Sequence, residues 1–148
     1  MTARVLIMRT LKTKDIDMKT SKVLRIILLV SGLILTGVGG AVLFMPVAFY
    51  AGNGIDLGGN ISLLNEIRSP GGALLASGIL IMLGAFVAKL TFTSTVISVL
   101  MYLSYGMSRI LSIAIDGMPT EGLLKATAVE IVIGLVGVVA LLKYRTTE

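Results

Sequence analysis

The chain has 148 residues, of which 55% are hydrophobic and 14% charged, and its mean hydropathy is +0.97. This length corresponds to one domain, and a soluble fold could not keep so much aliphatic surface from water. The absence of cysteine and histidine excludes disulfides, thiolate zinc sites, iron–sulfur clusters and imidazole chemistry, and the net charge of +5 comes mainly from the amino-terminal end.

Residues 1–22 are predicted to be a basic cytoplasmic tail or leader. Seven of the thirteen Lys and Arg residues lie between Arg4 and Arg25, directly before the first apolar run. This position fits an anionic membrane surface far better than nucleic acid, so we expect no nucleic-acid partner. Because Met18 followed by KTSKVLR would itself start a membrane protein normally, residues 1–17 are either a flexible tail or an artefact of the assigned start. A cleaved signal peptide fits less well, because the apolar run is longer than a signal core.

The first membrane span is expected from about Val23 to Met45, with Pro46 marking its end. The glycine-rich stretch AGNGIDLGGN at 51–60 predicts a loop. Asn60 could then cap a short interfacial helix, ISLLNEIR, lying at the membrane surface. Pro70 is typical of a first helical residue, so the second span is expected from there to about Ala88.

Lys89 and the TFTST stretch are expected to form a turn before the third span, which runs from about Thr95 to Ile115. The sequence DGMPT predicts a tight connection to a fourth span, from about Glu121 to Leu142. Each span supplies about twenty residues, which matches a hydrocarbon core of about 30 Å. The predicted fold is therefore all-α: a four-helix transmembrane bundle over 23–143 with a cytoplasmic tail at 144–148.

Orientation follows from the positive charges. The amino-terminal segment, the turn with Lys89 and the carboxyl-terminal tail hold ten of them, whereas the opposite side has only Arg68 and Lys125, apart from the intramembrane Arg109. Both termini are therefore predicted to be cytoplasmic.

Two opposite charges are predicted at the same depth within the membrane. Arg109 lies seven residues before Asp116, about 10 Å from the outer end of the third span, and Glu130 lies nine residues after Glu121, about 13 Å from the same side. An isolated charge at that depth is unfavourable by about 2.5 to 3.5 kcal/mol, so the two side chains are expected to pair.

The helical spacing of polar residues extends this pair into a candidate pocket in the outer half of the bundle. Tyr105, Arg109, Ser112 and Asp116 recur at intervals of four, three and four, and so share one helix stripe. Residues near the start of the second span could reach the same site. The predicted polar cluster is Glu66, Arg68, Tyr105, Arg109, Ser112, Asp116 and Glu130.

This cluster has two interpretations. Intramembrane ionisable residues often mark a ligand or ion path. A buried ionic network can instead be a structural clasp that only fixes helix register. Small residues at intervals of four, such as Gly32, Thr36 and Gly40, predict close helix packing within the chain, with homodimerisation as the alternative.

The motifs NEIRSPGG at 65–72, YGMSR at 105–109, DGMP at 116–119 and the later Glu130 together resemble a family of small bacterial four-helix membrane proteins, domain of unknown function 4345. The resemblance covers roughly Val23 to Lys143 and implies a multi-pass protein of the bacterial inner membrane, with no established reaction. In size and layout the chain is also similar to DoxX-like membrane proteins, some of which are associated with quinone-linked redox complexes.

Three functions remain open at this point. The first is a non-catalytic membrane protein that binds lipid, a quinone or another small amphiphile, or that serves as an accessory subunit of a larger complex. The second is a proton-coupled small-solute carrier, which would need a homo-oligomer because four helices are few. The third is a quinone- or lipid-linked enzyme using Asp116 or Glu130 as acid or base. No catalytic motif, cofactor motif or metal-ligand set is present, so we expect no cofactor and no metal.

Overall fold

The computed structural model describes residues 21–144, and this part of the chain forms five helices. Four are long and apolar enough to cross a membrane. The predicted all-α bundle of four spanning helices is therefore confirmed. The predictions for the basic segment before residue 21 and for residues 145–148 concern parts of the chain outside the described residues. The helices are α1 Lys22–Phe44, α2 Pro46–Ala51, α3 Ile61–Leu83, α4 Ala88–Asp116 and α5 Glu121–Tyr144.

Helix α1 begins where the sequence supplies a cap. The Ser21 hydroxyl accepts a hydrogen bond from the Leu24 amide at 3.1 Å, which satisfies one of the free donors at the helix start. The helix ends at Phe44, and Pro46 then occupies the first turn of α2, where its missing N–H costs nothing. Pro46 therefore both ends one helix, as predicted, and starts a short one.

The predicted boundary between an interfacial helix and the second span is wrong, because both segments belong to the single helix α3. Asn60 caps the helix through its side-chain oxygen, 3.1 Å from the Leu63 amide, as expected. The helix then continues through Pro70 to Leu83 without a break, so ISLLNEIR forms its first turns. Proline is tolerated inside membrane helices where neighbouring groups satisfy the freed carbonyl. The short helix that does precede the second span is α2, Pro46–Ala51.

The turn between α3 and α4 also lies earlier than predicted, at residues 84–87, and TFTST belongs to the first turns of α4. Threonine and serine are poor helix formers, which misleads a sequence-based interpretation. Here their hydroxyls donate to carbonyls: Thr91 to Gly84 at 2.9 Å, Ser94 to Leu80 at 2.7 Å, and Thr95 to Thr91. The first two bonds satisfy carbonyls at the end of α3 and tie the hairpin together.

The helices pack as two close pairs, α1 with α3 and α4 with α5. Glycine permits both contacts. A methyl group added to Gly78 would come within 2.5 Å of the Thr36 amide nitrogen, and one added to Gly106 would lie 2.6 Å from the Ile131 side chain. The prediction that small residues serve packing within the chain fits these contacts for Gly32, which also faces α3, but Gly40 has no neighbour within 4 Å.

The start of α1, the α3–α4 turn and the end of α5 lie at the same end of the bundle. There, Leu24 and Ala85 belong to one buried apolar cluster, and Tyr144 packs against it. We call this the inner half, and the half that holds α2 and the α4–α5 connection the outer half. Gly117, at φ +97°, makes the predicted tight connection between α4 and α5. Thr120 then donates a hydrogen bond to the Asn53 carbonyl at 3.0 Å, which fastens this connection to the loop after α2.

Candidate functional site

An ion pair joins α4 to α5 in the outer half of the bundle. The Arg109 Nε atom lies 3.0 Å from Glu130 Oε2 and 3.2 Å from Oε1. The arginine side chain is 33% exposed and the glutamate side chain 16%. The two side chains thus meet at one level, as their distances from the α4–α5 connection predict, and each offsets the cost of placing the other inside a membrane.

Close packing of α4 on α5 sets this geometry. Gly106 faces Ile131, and Gly134 faces the Leu103 side chain, so the two backbones approach closely directly inward of the pair. Arg109 follows Gly106 by one helical turn, and Glu130 directly precedes Ile131. The ion pair is therefore held by rigid helices and not by loops.

The pair leaves most of the arginine's hydrogen-bonding capacity unused. A guanidinium carries five N–H donors, and only the Nε donor is engaged by Glu130. Within residues 21–144, neither terminal nitrogen of Arg109 donates a hydrogen bond to a protein group. A partly buried cation with four free donors can bind an additional acceptor, such as a carbonyl, carboxylate or phosphate oxygen.

A cavity of about 340 Å³ adjoins the ion pair, and residues from all five helices line it. Its walls are mostly aliphatic, from Ile34 and Val38 of α1 to Val129 of α5. Its polar groups come from α2, α4 and α5. They are Tyr50, Tyr102, Tyr105, Arg109, Lys125 and Glu130.

The three tyrosines play different parts. The buried Tyr102 hydroxyl donates to the Ser31 carbonyl at 2.6 Å and so links α4 to α1. No hydrogen bond to another described residue engages the hydroxyl of Tyr50 or Tyr105. These two hydroxyls, with Arg109, give the cavity several uncommitted polar groups on an otherwise apolar wall, a pattern typical of small-molecule sites.

The structure brings together three of the seven residues predicted for the cluster: Tyr105, Arg109 and Glu130 line the cavity. The other four lie elsewhere. Ser112 donates to the Asp116 carboxylate at 2.9 Å on the exposed end of α4, since the stripe that they share with Arg109 has turned out of the bundle there. Glu66 and Arg68 are exposed on α3 and are not among the lining residues, because α3 begins nine residues before Pro70.

Sequence-based reasoning missed the contribution of α2 and of Lys125. Phe49 and Tyr50 close the outer end of the cavity, and six residues are too few to show a helical period. The available signal was Pro46 at a first helical position followed by two adjacent aromatics. In the sequence, Lys125 counts only as a positive charge on the outer side. Its ammonium bonds Glu121 at 2.8 Å, and the residue also lines the cavity.

Fold and site together define a small multi-pass integral membrane protein with a partly polar cavity among its helices. Residues 23–141 match the family model named domain of unknown function (DUF4345). The chain therefore belongs to the DUF4345 family, in agreement with the resemblance carried by its motifs. No curated protein and no solved structure is significantly similar to it.

Proposed function

We propose that this protein binds a small amphiphilic molecule in the outer cavity, with Arg109 as the polar anchor. The observation that carries the proposal is the guanidinium with free donors beside an apolar cavity of about 340 Å³. The head of the ligand would supply oxygen acceptors for the terminal nitrogens of Arg109. Its apolar part would contact the aliphatic wall.

The alternative of a structural clasp explains less. A clasp would be strongest if Glu130 accepted two parallel bonds from the guanidinium fork, yet both carboxylate oxygens face the single Nε donor. Within residues 21–144, no hydrogen bond joins Glu130 to the remaining donors of Arg109. Donors left without partners at this depth are unfavourable, and a bound acceptor or water would relieve that cost.

The same site suits an accessory subunit that holds a lipid or quinone for a larger membrane complex. Such a role would also require that the outer cavity binds an amphiphilic molecule. No feature of residues 21–144 specifically favours the carrier or enzyme alternatives, and we therefore propose binding. Among these residues, no group of three or more acidic side chains is placed to hold a metal ion.

Binding of octanoate to the detergent-solubilised protein, measured by native mass spectrometry, tests the proposal. Octanoate offers a carboxylate head and a chain short enough for the outer cavity. The neutral double variant Arg109→Gln/Glu130→Gln should bind it at least about tenfold more weakly, because a hydrogen bond to a charged group contributes about 1.5 to 3 kcal/mol. The control Arg68→Gln, which removes an exposed arginine of α3, should bind like the wild type.

The exchanged pair Arg109→Glu/Glu130→Arg distinguishes a ligand-binding role of the ion pair from a purely structural role. It retains one positive and one negative charge between α4 and α5 but moves the guanidinium to the other helix. We expect the fold to be kept and octanoate binding to be lost. Equal affinity in the wild type, the neutral variant and the exchanged variant would contradict the proposal.

We further propose that both termini face the cytoplasm and that the membrane is the bacterial inner membrane, as the family resemblance implies. The described charges support this orientation. Four of the seven described Lys and Arg residues, Lys22, Arg25, Lys89 and Lys143, lie in the inner half. Apart from the intramembrane Arg109, the outer half has only Arg68 and Lys125.

Because the chain has no cysteine, single introduced thiols can report this orientation. A membrane-impermeant maleimide should label Gly59→Cys, in the loop before α3, in intact cells. It should label Phe86→Cys, in the α3–α4 turn, only after lysis. The opposite pattern would invert the proposed topology.

A further inference from the structure

A second cavity lies along the same side of α1, in the inner half of the bundle. It has a volume of about 220 Å³ and is lined by α1 between Ile26 and Ser31 and by Val132, Ile133 and Val136 of α5. Its walls are aliphatic except for Ser31. The Ser31 hydroxyl is already bonded to the Ile27 carbonyl of its own helix at 2.7 Å, so this cavity offers no free polar group.

The lining residues place the two cavities one after the other along α1 and α5, and we call this stretch of the seam the groove. On α1, Ile26 and Val30 line the inner cavity, and Ile34 and Val38 line the outer one. These positions recur every four residues, so they form a single stripe on the helix. The seam is open because α1 and α5 make few contacts with each other, in contrast to α1 with α3.

The groove extends well beyond the polar site. Tyr102 of α4 bonds Ser31 of α1, and α1 and α4 run in the same direction. Arg109, seven residues farther along α4, therefore lies near the level of Val38. From Val38 to Ile26 the groove continues for about 18 Å at 1.5 Å per residue. That length exceeds what a short polar ligand would need.

We infer that the ligand of the outer cavity is a long single-chain lipid with a carboxylate or carbonyl head. The inference rests on the proposed function and names the class of ligand. The head binds Arg109, and the chain runs inward along the α1–α5 seam. One chain fits because a single stripe from each of two helices bounds the groove.

A second copy of the protein is a poorer occupant of this groove. Helices associate closely in membranes through small residues, and the inner groove presents isoleucine and valine. Branched aliphatic walls suit a flexible chain, which can follow their shape.

Filling the inner groove tests the inference. Val132→Trp places a bulky ring in the groove. Leu135→Trp places the same ring one turn farther along α5, at a position that lines neither cavity. The two positions are matched, since Val132 is 59% exposed and Leu135 54%. We expect Val132→Trp to weaken palmitate binding by about tenfold or more in native mass spectra, because the ring displaces several methylene groups. Octanoate binding should stay unchanged, and Leu135→Trp should bind both acids like the wild type.

The outcomes distinguish this inference from the proposed function. If Val132→Trp binds palmitate like the wild type, the chain does not follow the seam, and the inference fails while octanoate binding at Arg109 stands. If the neutral Arg109/Glu130 variant binds octanoate normally, both fail. A dimer in the same spectra that Val132→Trp dissociates would show that a second copy occupies the groove and would overturn the inference. If Val132→Trp does not fold, Val136→Phe provides the same test.

Discussion

The interface of helix α1 with α3 differs from its interface with α5. Against α3 it is closely packed: a methyl group on Gly78 would collide with Thr36, and one on Gly39 would collide with the Leu75 backbone. Against α5 it is open, and the two cavities lie there. Glycine contacts therefore close the side of α1 that faces α3, whereas the side that faces α5 keeps room for a ligand.

Buried polar groups follow the same division. At the α3–α4 turn, Thr91 and Ser94 are fully buried. Their hydroxyls donate to the carbonyls of Gly84 and Leu80, just after and near the end of α3. At the open seam, Arg109 engages one N–H donor, and its other four donate to no protein group within residues 21–144. A polar group that is satisfied within the protein stabilises structure, whereas a polar group with free donors beside a cavity is suited to binding.

The largest effect is expected from Arg109→Ala, which leaves Glu130 without its partner inside the membrane. We predict a loss of at least about 2.5 kcal/mol in the free energy of unfolding. Denaturant unfolding in mixed micelles would measure it. The exchanged pair Arg109→Glu/Glu130→Arg should recover most of this loss, and a fully stable alanine variant would show that the pair contributes little to the open side.

A smaller effect is expected at the closed interface from Gly39→Ala. The added methyl group would press on the Leu75 backbone, which cannot move as a flexible side chain can, so we predict a cost of about 1 to 3 kcal/mol. Gly40→Ala is the matched control, because nothing lies within 4 Å of its added methyl group. It should be neutral or stabilising by up to about 1 kcal/mol. Equal thermal stability of the two variants would mean that α1 and α3 are not closely packed.

Tyr102→Phe removes the hydrogen bond that spans from α4 to α1 behind the open seam. We predict a loss of about 1 kcal/mol in the free energy of unfolding. Tyr105→Phe removes a hydroxyl that makes no bond within residues 21–144, so its stability should match the wild type. If the two variants unfold alike, the 2.6 Å bond from Tyr102 to Ser31 does not hold the helices together.

The smallest effect is expected from Lys125→Ala at the mouth of the cavity. Its ion pair with Glu121 joins side chains that are 73% and 81% exposed. Such i,i+4 pairs contribute about 0.3 to 0.5 kcal/mol. The thermal midpoint should therefore change little. A large drop would mean that Lys125, like Arg109, makes a contact that the fold depends on.

Residue counting predicted the ion pair well. The distances of Arg109 and Glu130 from the α4–α5 connection fix their depth, and an unpaired charge at that depth is too unfavourable to leave alone. The same reasoning gave the four spans and the tight connection at Gly117. It depends on helix rise and on the cost of burial, which are the same in every membrane helix.

Other features could not be predicted from local patterns. Pro70 and TFTST are typical of helix boundaries in water, yet both lie inside helices here, where hydroxyl-to-carbonyl bonds and tertiary packing outweigh local propensity. The cavity depends on where α1 and α5 fail to meet. That gap follows from the closer contacts of α1 with α3 and of α5 with α4. Contacts between distant segments cannot be predicted from the sequence of any one of them.

An experimental structure of the protein, extracted from its own membrane without added ligand, would test most directly whether the open seam is a lipid site. We predict elongated density along α1 and α5, with a polar end within hydrogen-bond distance of the terminal nitrogens of Arg109. A closed seam, or Arg109 and Glu130 separated on different sides of the bundle, would contradict it.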